Sequence, residues 1–441
     1  MNESSWTCTG SGRNQICTFT NFCVDKHNGP FVLSSSEPPQ VNLINGAEEE
    51  SMWFQPKHKT SRPRNIQFIN ETLFVYGLYS PFHFSHFLYN GLMPLFSLMK
   101  EHDATPRSWT LRAATFWNEH TPIDFILPGG PDIVLEENDA LTGRQVLPSR
   151  RAMCFPKAVV GTGNRCSLFY CEGQIRSQHY QEFKDYVLEQ PVQPNNTCEA
   201  SRVIYKETGQ YRVGILNRQK SRRITNVPEL IERMMALDKV KDGIDYSVVT
   251  IDFEKGCDLI HTANVVKDLD ILIAPFGNGL GSGLFMKNDA TVISIPSRYY
   301  TEDWFKYPMT AIGRRLFEFQ CDSSHCQEYE EDRAAEILNR YGVVLNATEM
   351  TEFVASAYPR EVLLNHLPEE KIYTPIGLYH KDVERRIDVD GFLPFLKRVM
   401  DNKPPSNMTF PDTCQKENVC CDSDCGGPLS RNIFGENNAW K

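Results

Sequence analysis

No run in this 441-residue chain is long and apolar enough to read as a membrane span. The most apolar window, residues 82–99, contains His83, His86, Asn90 and Gly91, which hydrocarbon would reject. The opening MNESSWTCTG lacks the basic-then-apolar start of a secretory leader. Positive charge is also short, with 46 Lys and Arg against 56 Asp and Glu and a formal net charge of -10. That balance repels phosphate backbones, so general nucleic-acid binding is excluded as a partner class. There is no Gly-Lys-[Ser/Thr], hence no P-loop. There is no C-x-x-C pair, the spacing on which structural zinc sites are built. Internal repeats and low-complexity tracts are absent as well.

What is present is the composition of an ordinary globular protein, 41% hydrophobic and 23% charged. The length suits two or three domains. Fourteen cysteines, an even number, gather near the N-terminus, in the middle and in the tail. Disulfides in an oxidising compartment fit that usage better than metal. Five N-x-[ST] acceptors, at Asn2, Asn70, Asn195, Asn346 and Asn407, point the same way. The expectation is a lumenal protein of the secretory pathway, Golgi or ER, soluble as given and tied to a membrane only through an anchor upstream of this chain.

Four segments are expected. Residues 1–60, rich in Cys, Ser, Asn and Pro, read as an irregular, disulfide-tied lead-in. Residues 61–200 form a first α/β domain, with strands in NIQFINETLFVYG and WTLRAATFW around a helix from residue 82. Residues 201–385 alternate strand and helix cleanly: YRVGILN, VPELIERMMALDKV, YSVVTID, CDLIHTANVVKD, LDILIAPF, TVISIPS. Continuous apolar strands alternating with helices predict a parallel sheet covered on both faces. Residues 386–441 hold a late amphipathic helix and a Cys-rich tail.

Three features carry chemistry. APFGNGLGSGLFM (274–286) follows an apolar strand and opens a helix. Such a turn serves either tight helix–strand packing or the close approach of a phosphate to backbone N–H groups. Its candidate contacts are Gly277, Asn278, Gly279, Leu280 and Gly281. A dinucleotide fingerprint is not completed, because Ser282 stands at the third glycine and the next strand ends on Ser297 rather than an acid. ILNRQKSRRITN (215–226) packs Arg218, Lys220, Arg222 and Arg223 into six positions of an acidic protein. It reads as a solvated basic loop or as a planar, bidentate phosphate site. One sheet would bring both loops to the same edge. Third, the helix from residue 82 places His83, His86, Asn90 and Ser97 on one side and Leu88, Leu92, Leu95, Phe96 and Met99 on the other. His, Asn and Ser in place of Lys and Glu suit a polar cleft, or else satisfied structural histidines; His86 is the candidate for proton transfer. Asp388-Val389-Asp390 resembles a metal-binding D-x-D, but it immediately precedes a helix, where aspartate caps.

The blocks H-F-L-x-x-x-L-x-P-L-F from His86, L-N-R-x-x-x-R-R-I-x-N from Leu216 and D-I-L-I-x-P-x-G-x-G-L-x-x-x-L-F-M from Asp270 resemble, in this order, glycosyltransferase family 61. RRIDVDGFLPFLKRV (385–399) resembles the end of those chains. The resemblance runs from about Asn65 to Met400. It implies a GT-B fold of two facing Rossmann-like domains, inversion at the anomeric carbon and a UDP-sugar donor carrying GlcNAc or a pentose such as xylose. It implies a glycan or glycoprotein acceptor and no essential metal or cofactor. Arg218, Arg222 and Arg223 would serve the diphosphate, residues 277–281 the nucleotide, and His86, with His83 and Asn90, the acceptor-side cleft. Where family loops read G-x-H-G-A-G-L this chain has Phe276 and Asn278, and where an acid often follows the first-block histidine it has Tyr89, Asn90 and Gly91. Glu119, His120 and Glu254 are reserve bases. The alternative function is a non-catalytic glycan- or protein-binding relative in the same compartment.

Overall fold

The structure, a computed structural model, describes residues 3–25, 29–46, 51–79, 83–115, 132–134, 152–165, 175–192, 202–216, 218, 221–237, 245–252, 258–296, 305, 308–309, 312–319, 327–328, 331–355 and 360–401. The chain divides into two compact units, Met1–Pro191 and Val192–Lys441. Both are α/β with parallel strands.

The first unit contains strands β1 (Trp6–Thr9), β2 (Ile16–Asp25), β3 (Gly29–Leu33), β4 (Val41–Asn42), β5 (Trp53–Phe54), β6 (Lys57–Lys59), β7 (Ile66–Phe68), β8 (Thr72–Leu78), β9 (Trp109–Thr115), β10 (Asp132–Val134) and β11 (Ala152–Val160). Its main sheet has the order β10-β9-β8-β11-β2-β3-β6, with β1 added on β2 and β7 on β11. Strands β8 to β11 run parallel, whereas β2 is antiparallel to both β11 and β3. This corrects the reading of residues 1–60 as irregular. In ICTFTNFCVD, Cys17 and Phe19 are buried while Thr18 and Thr20 are not. That is the period-2 pattern of a strand with one face in the core. The lead-in is disulfide-tied as expected, by Cys8–Cys17 and Cys23–Cys154. Each bridge joins partners opposite one another across an antiparallel pair. The other ten cysteines lie outside the described residues.

The second unit carries β12 (Arg202–Lys206), β13 (Tyr211–Leu216), β14 (Tyr246–Ile251), β15 (Ile271–Pro275), β16 (Thr291–Ile295) and β17 (Arg315–Glu318), in the order β12-β14-β13-β15-β16-β17. All pairs are parallel except β12, an antiparallel edge on β14. Strands β14, β15 and β16 are buried at every residue, which is why their sequences, YSVVTI, ILIAP and TVISI, are dominated by Val and Ile and show no polar–apolar alternation. Helices Val227–Met235 and Val389–Asp401 supply Leu230, Ile231, Met234, Phe392, Phe395 and Leu396 to the core on this sheet. Burying each such side chain is worth roughly 1.5–3 kcal/mol. Four helices, Glu331–Arg340, Ala347–Ala355, Arg360–Leu364 and Glu369–Asp382, form a separate core around Ile337, Phe353, Leu363, Ile376 and Tyr379. A short pair, β18 (Gln327–Glu328) and β19 (Glu384–Arg385), completes the unit. Among the described residues no helix is long and apolar enough to cross a membrane.

Candidate functional site

Taken in chain order, the parallel strands of the second unit run 2-1-3-4-5, so the direction of winding reverses between β13 and β15. Open α/β sheets bind ligands beyond the carboxyl ends of their strands at that switch point, because the two loops leave in opposite directions and open a crevice. The loops after β13 and β15 are the basic segment and the glycine loop.

The structure brings them together. A β-carbon built on Gly277 would stand 2.6 Å from Arg222 Nη1 and 3.6 Å from Arg218 Nη1. Arg222 Nη1 donates to the Phe276 carbonyl at 3.3 Å. Gly277 has φ +141°, and Arg222 itself sits at φ +61°. The first is a conformation essentially restricted to glycine, and the second is rare for a long side chain. The strained backbone of Arg222, held against a glycine-only turn, marks a contact held by its surroundings. From Gly277 the chain turns into the expected helix, which is of the 3-10 type, Asn278–Phe285. Leu280 and Gly281 are buried in it, and Asn278 opens it half-exposed. Ser282 Oγ donates to the Gly279 carbonyl at 2.7 Å, tightening the first turn.

Arg223 is placed differently. Its Nη2 and Nε donate to Glu384 Oε2 at 2.7 and 3.2 Å. The segment after Glu384 clamps the basic loop from below. Arg385 N donates to Arg223 O at 2.9 Å, and Thr225 N donates to Arg385 O at 2.8 Å. Asn226 grips Ile387 on both sides, accepting its N–H at 2.9 Å and donating to its carbonyl at 2.8 Å. RRIDVDG therefore acts as scaffolding for the arginine loop. Asp388 Oδ1 accepts the Gly391 N–H at 3.3 Å at the start of its helix, and Asp390 pairs with Arg233 at 2.6 Å. Capping and an ion pair account for the D-x-D. Among the described residues no three His, Cys, Asp or Glu gather as metal ligands would.

The histidine helix of the first unit runs Phe84–His86, then wide π turns at Phe87–Leu92, then Met93–Glu101. π insertions of this kind recur at functional positions. His86 Nδ1 lies 3.1 Å from Asn90 Oδ1. Asn90 Nδ2 donates to the Asn45 carbonyl at 2.7 Å, and Asn45 Nδ2 returns a bond to the Asn90 carbonyl at 3.0 Å. Since Asn90 spends its amide donor on Asn45, its Oδ1 faces His86 as an acceptor, which puts the imidazole proton on Nδ1 and makes Nε2 the basic nitrogen. The His83 and Tyr79 rings lie 5.7 and 5.1 Å from that of His86. The polar side of this helix is a buried seam, with Asn90 and Ser97 at 0% exposure and His86 at 7%. Ser97 Oγ meets His179 Nδ1 at 2.9 Å, and burial pushes His179 below the ordinary histidine range. Sequence reasoning missed Asn45, Asn226 and Glu384, whose partners lie 45 to 161 residues away along the chain.

Of the expected glycosylation positions, Asn70 and Asn346 are exposed. Asn346 also caps helix Ala347–Ala355, its Oδ1 accepting from Thr348 N and Glu349 N at 3.0 Å. Asn2, Asn195 and Asn407, the reserves Glu119, His120 and Glu254, and Lys220 lie outside the described residues.

Residues 84–293, a stretch that takes in both the histidine helix and the two loops, match the family model described as Glycosyltransferase 61. No curated protein matches the chain.

Proposed function

Because residues 84–293 make this chain a glycosyltransferase carrying a family 61 domain, we propose that its donor is a UDP-sugar bound by the loops after β13 and β15. The transferred sugar is GlcNAc or a pentose such as xylose, the acceptor is a glycan or glycoprotein hydroxyl, and the reaction inverts the anomeric carbon. The fold assignment that goes with this reading is GT-B, with the donor in the second unit.

One observation carries it: Arg218 and Arg222 converge on Gly277 at the switch point of a 2-1-3-4-5 sheet. Guanidinium forks and backbone N–H groups at the start of a helix are the donors a diphosphate requires. They would neutralise the leaving UDP as the acceptor oxygen attacks the anomeric carbon. His86, with its proton fixed on Nδ1, is the proposed base that takes the acceptor proton on Nε2. Arg223, paired with Glu384, would serve the diphosphate through the shape of its loop as well as through its charge. The disulfides and exposed sequons support work in the lumen of the secretory pathway, with the Golgi proposed.

The test is a thermal-shift panel of UDP-GlcNAc, UDP-xylose, UDP-arabinose, GDP-mannose and NAD, repeated on Arg218→Ala. A ligand that binds only the native state raises the melting temperature. A shift with one UDP-sugar that Arg218→Ala removes is the expected result. No shift with any UDP-sugar would refute the donor assignment and favour the non-catalytic alternative.

A further inference from the structure

The glycine-loop helix has an unusual length for its type. Runs of 3-10 helix beyond three or four residues are uncommon, because their hydrogen bonds are poorly aligned. This one continues for eight, Asn278–Phe285. The connection explains why. The chain leaves β15 at Pro275 and must return to Thr291, across two adjacent strands of five residues each. A five-residue strand is ~16 Å long at ~3.3 Å per residue. Eight residues of 3-10 helix span about the same ~16 Å, whereas eight of α-helix span only ~12 Å. The tight form lets a short crossover reach from the ligand edge of the sheet to the opposite edge, and something must hold it stretched.

Arg314 stands at that far end, just before β17, and is fully buried at 0% exposure. Its guanidinium reaches four main-chain carbonyls: Nη2 donates to Met286 O at 2.5 Å and Leu284 O at 3.4 Å, Nε to Gly283 O at 3.3 Å, and Nη1 to Ile312 O at 2.9 Å. Three of these belong to the last turn and cap of the glycine-loop helix. Burying a cation is costly unless its donors are satisfied. The carboxyl end of a helix, with its unspent carbonyls and partial negative charge, is suited to satisfy it. The main chain here is approached closely from the other side, since a β-carbon on Gly283 would come within 2.8 Å of Val292 Cγ2.

We propose that Arg314 is a positioning residue for the donor site: it fastens the far end of the stretched helix and thereby sets where the N–H groups of residues 277–279 stand beside Arg218 and Arg222. Without it the helix relaxes toward α geometry or frays, and its first turn retreats by up to ~4 Å from the sheet edge. Lysine keeps the charge but cannot span four carbonyls, because its ammonium is a single point with three donors. The inference rests on the UDP-sugar reading above, and the experiment separates the two.

The experiment uses the full chain and UDP itself, with Arg314→Met, Arg314→Lys and, as a stability control, Val248→Ala in the core of β14. Calorimetry well below each melting temperature gives the UDP dissociation constant, and hydrogen exchange gives protection of the amides of residues 280–286. The expected result is a rise of at least ten-fold for Arg314→Met, a smaller rise for Arg314→Lys, faster exchange in that helix for both, and unchanged affinity for Val248→Ala. A folded Arg314→Met within two-fold of wild type overturns the proposal. If Arg314→Met does not fold, the same criterion applied to Arg314→Lys decides. A matching loss of affinity in Val248→Ala also overturns it, by showing that general stability is being read. If wild type binds no UDP, the donor-site reading fails, and exchange at residues 280–286 alone judges the fastening.

Discussion

Gly277→Ala isolates the contact on which the donor site is built. At φ +141° and ψ −161° the backbone lies where a β-carbon is strained whatever the surrounding space. Holding alanine there costs ~1–3 kcal/mol. At roughly 2–4 °C per kcal/mol for a unit of this size, the melting temperature should fall by about 5 °C. The new methyl also arrives 2.6 Å from Arg222 Nη1, and the guanidinium, at the end of a flexible side chain, swings away more cheaply than the backbone shifts. A charge-assisted hydrogen bond to the diphosphate, ~1.5–3 kcal/mol, is then lost, and the UDP dissociation constant rises about 10- to 100-fold. Gly342→Ala is the matched control. Gly342 also has positive φ, +72°, but nothing lies within 4 Å of a β-carbon built there. It should show a comparable backbone cost with no change in UDP affinity. Calorimetric titration of both variants decides the matter: equal, unaltered UDP affinity in the two would refute the claim that Gly277 and Arg222 form the diphosphate site.

Three further outcomes are expected. His86→Ala should lower kcat by ~10²–10⁴ with little change in donor KM, and a kcat within a few-fold of wild type would remove His86 as the base. Serine replacement of the Cys23–Cys154 pair, separated by 131 residues, should cost up to about 5 kcal/mol in chemical denaturation, against about 3 for Cys8–Cys17, separated by 9; equal costs would contradict the loop-entropy account. Because the His179 pKa is lowered in the native state by burial, the unfolded chain takes up a proton first as pH falls, so stability declines below the ordinary histidine value of ~6.5. His179→Gln should flatten that stretch of the stability–pH profile, and an unchanged slope would count against the assignment.

The second unit was largely legible because its strands are buried on both faces. YSVVTI and ILIAP leave no polar face to confuse the period. Their order also brought the two candidate loops to neighbouring strands. The first unit was harder to read. Strand β2 carries its alternation in Cys, Phe, Thr and Asn, which taken together resemble loop composition. The histidine helix is legible in its apolar side, but the sequence leaves its polar side undecided between a polar cleft and satisfied structural histidines, since nothing nearby in sequence announces that Asn45 and His179 cover Asn90 and Ser97. The four-helix group of the second unit is less legible in sequence. Its helices are short, and Pro375 interrupts the backbone ladder of Glu369–Asp382. Arg314 gave no signal at all, because one arginine before a strand looks like any other until its four carbonyls converge.

The pairing of β2 with β11 also sets an order of events during synthesis. Three cysteines, Cys8, Cys17 and Cys23, are made well over a hundred residues before Cys154. Oxidation in that interval would allow two wrong bridges. The β1–β2 hairpin forms from chain already present and sets Cys8 opposite Cys17, consuming both while Cys23 waits. Only when residues 152–160 arrive does β2, already paired with β1 and β3, gain β11, and with it the partner thiol opposite Cys23. A local hairpin thus serves as a guard on a thiol whose correct mate does not yet exist. Damage to it, by a turn or register change near Gly10–Asn14, should surface as mispaired disulfides in newly made chains rather than as lost stability in those that mature.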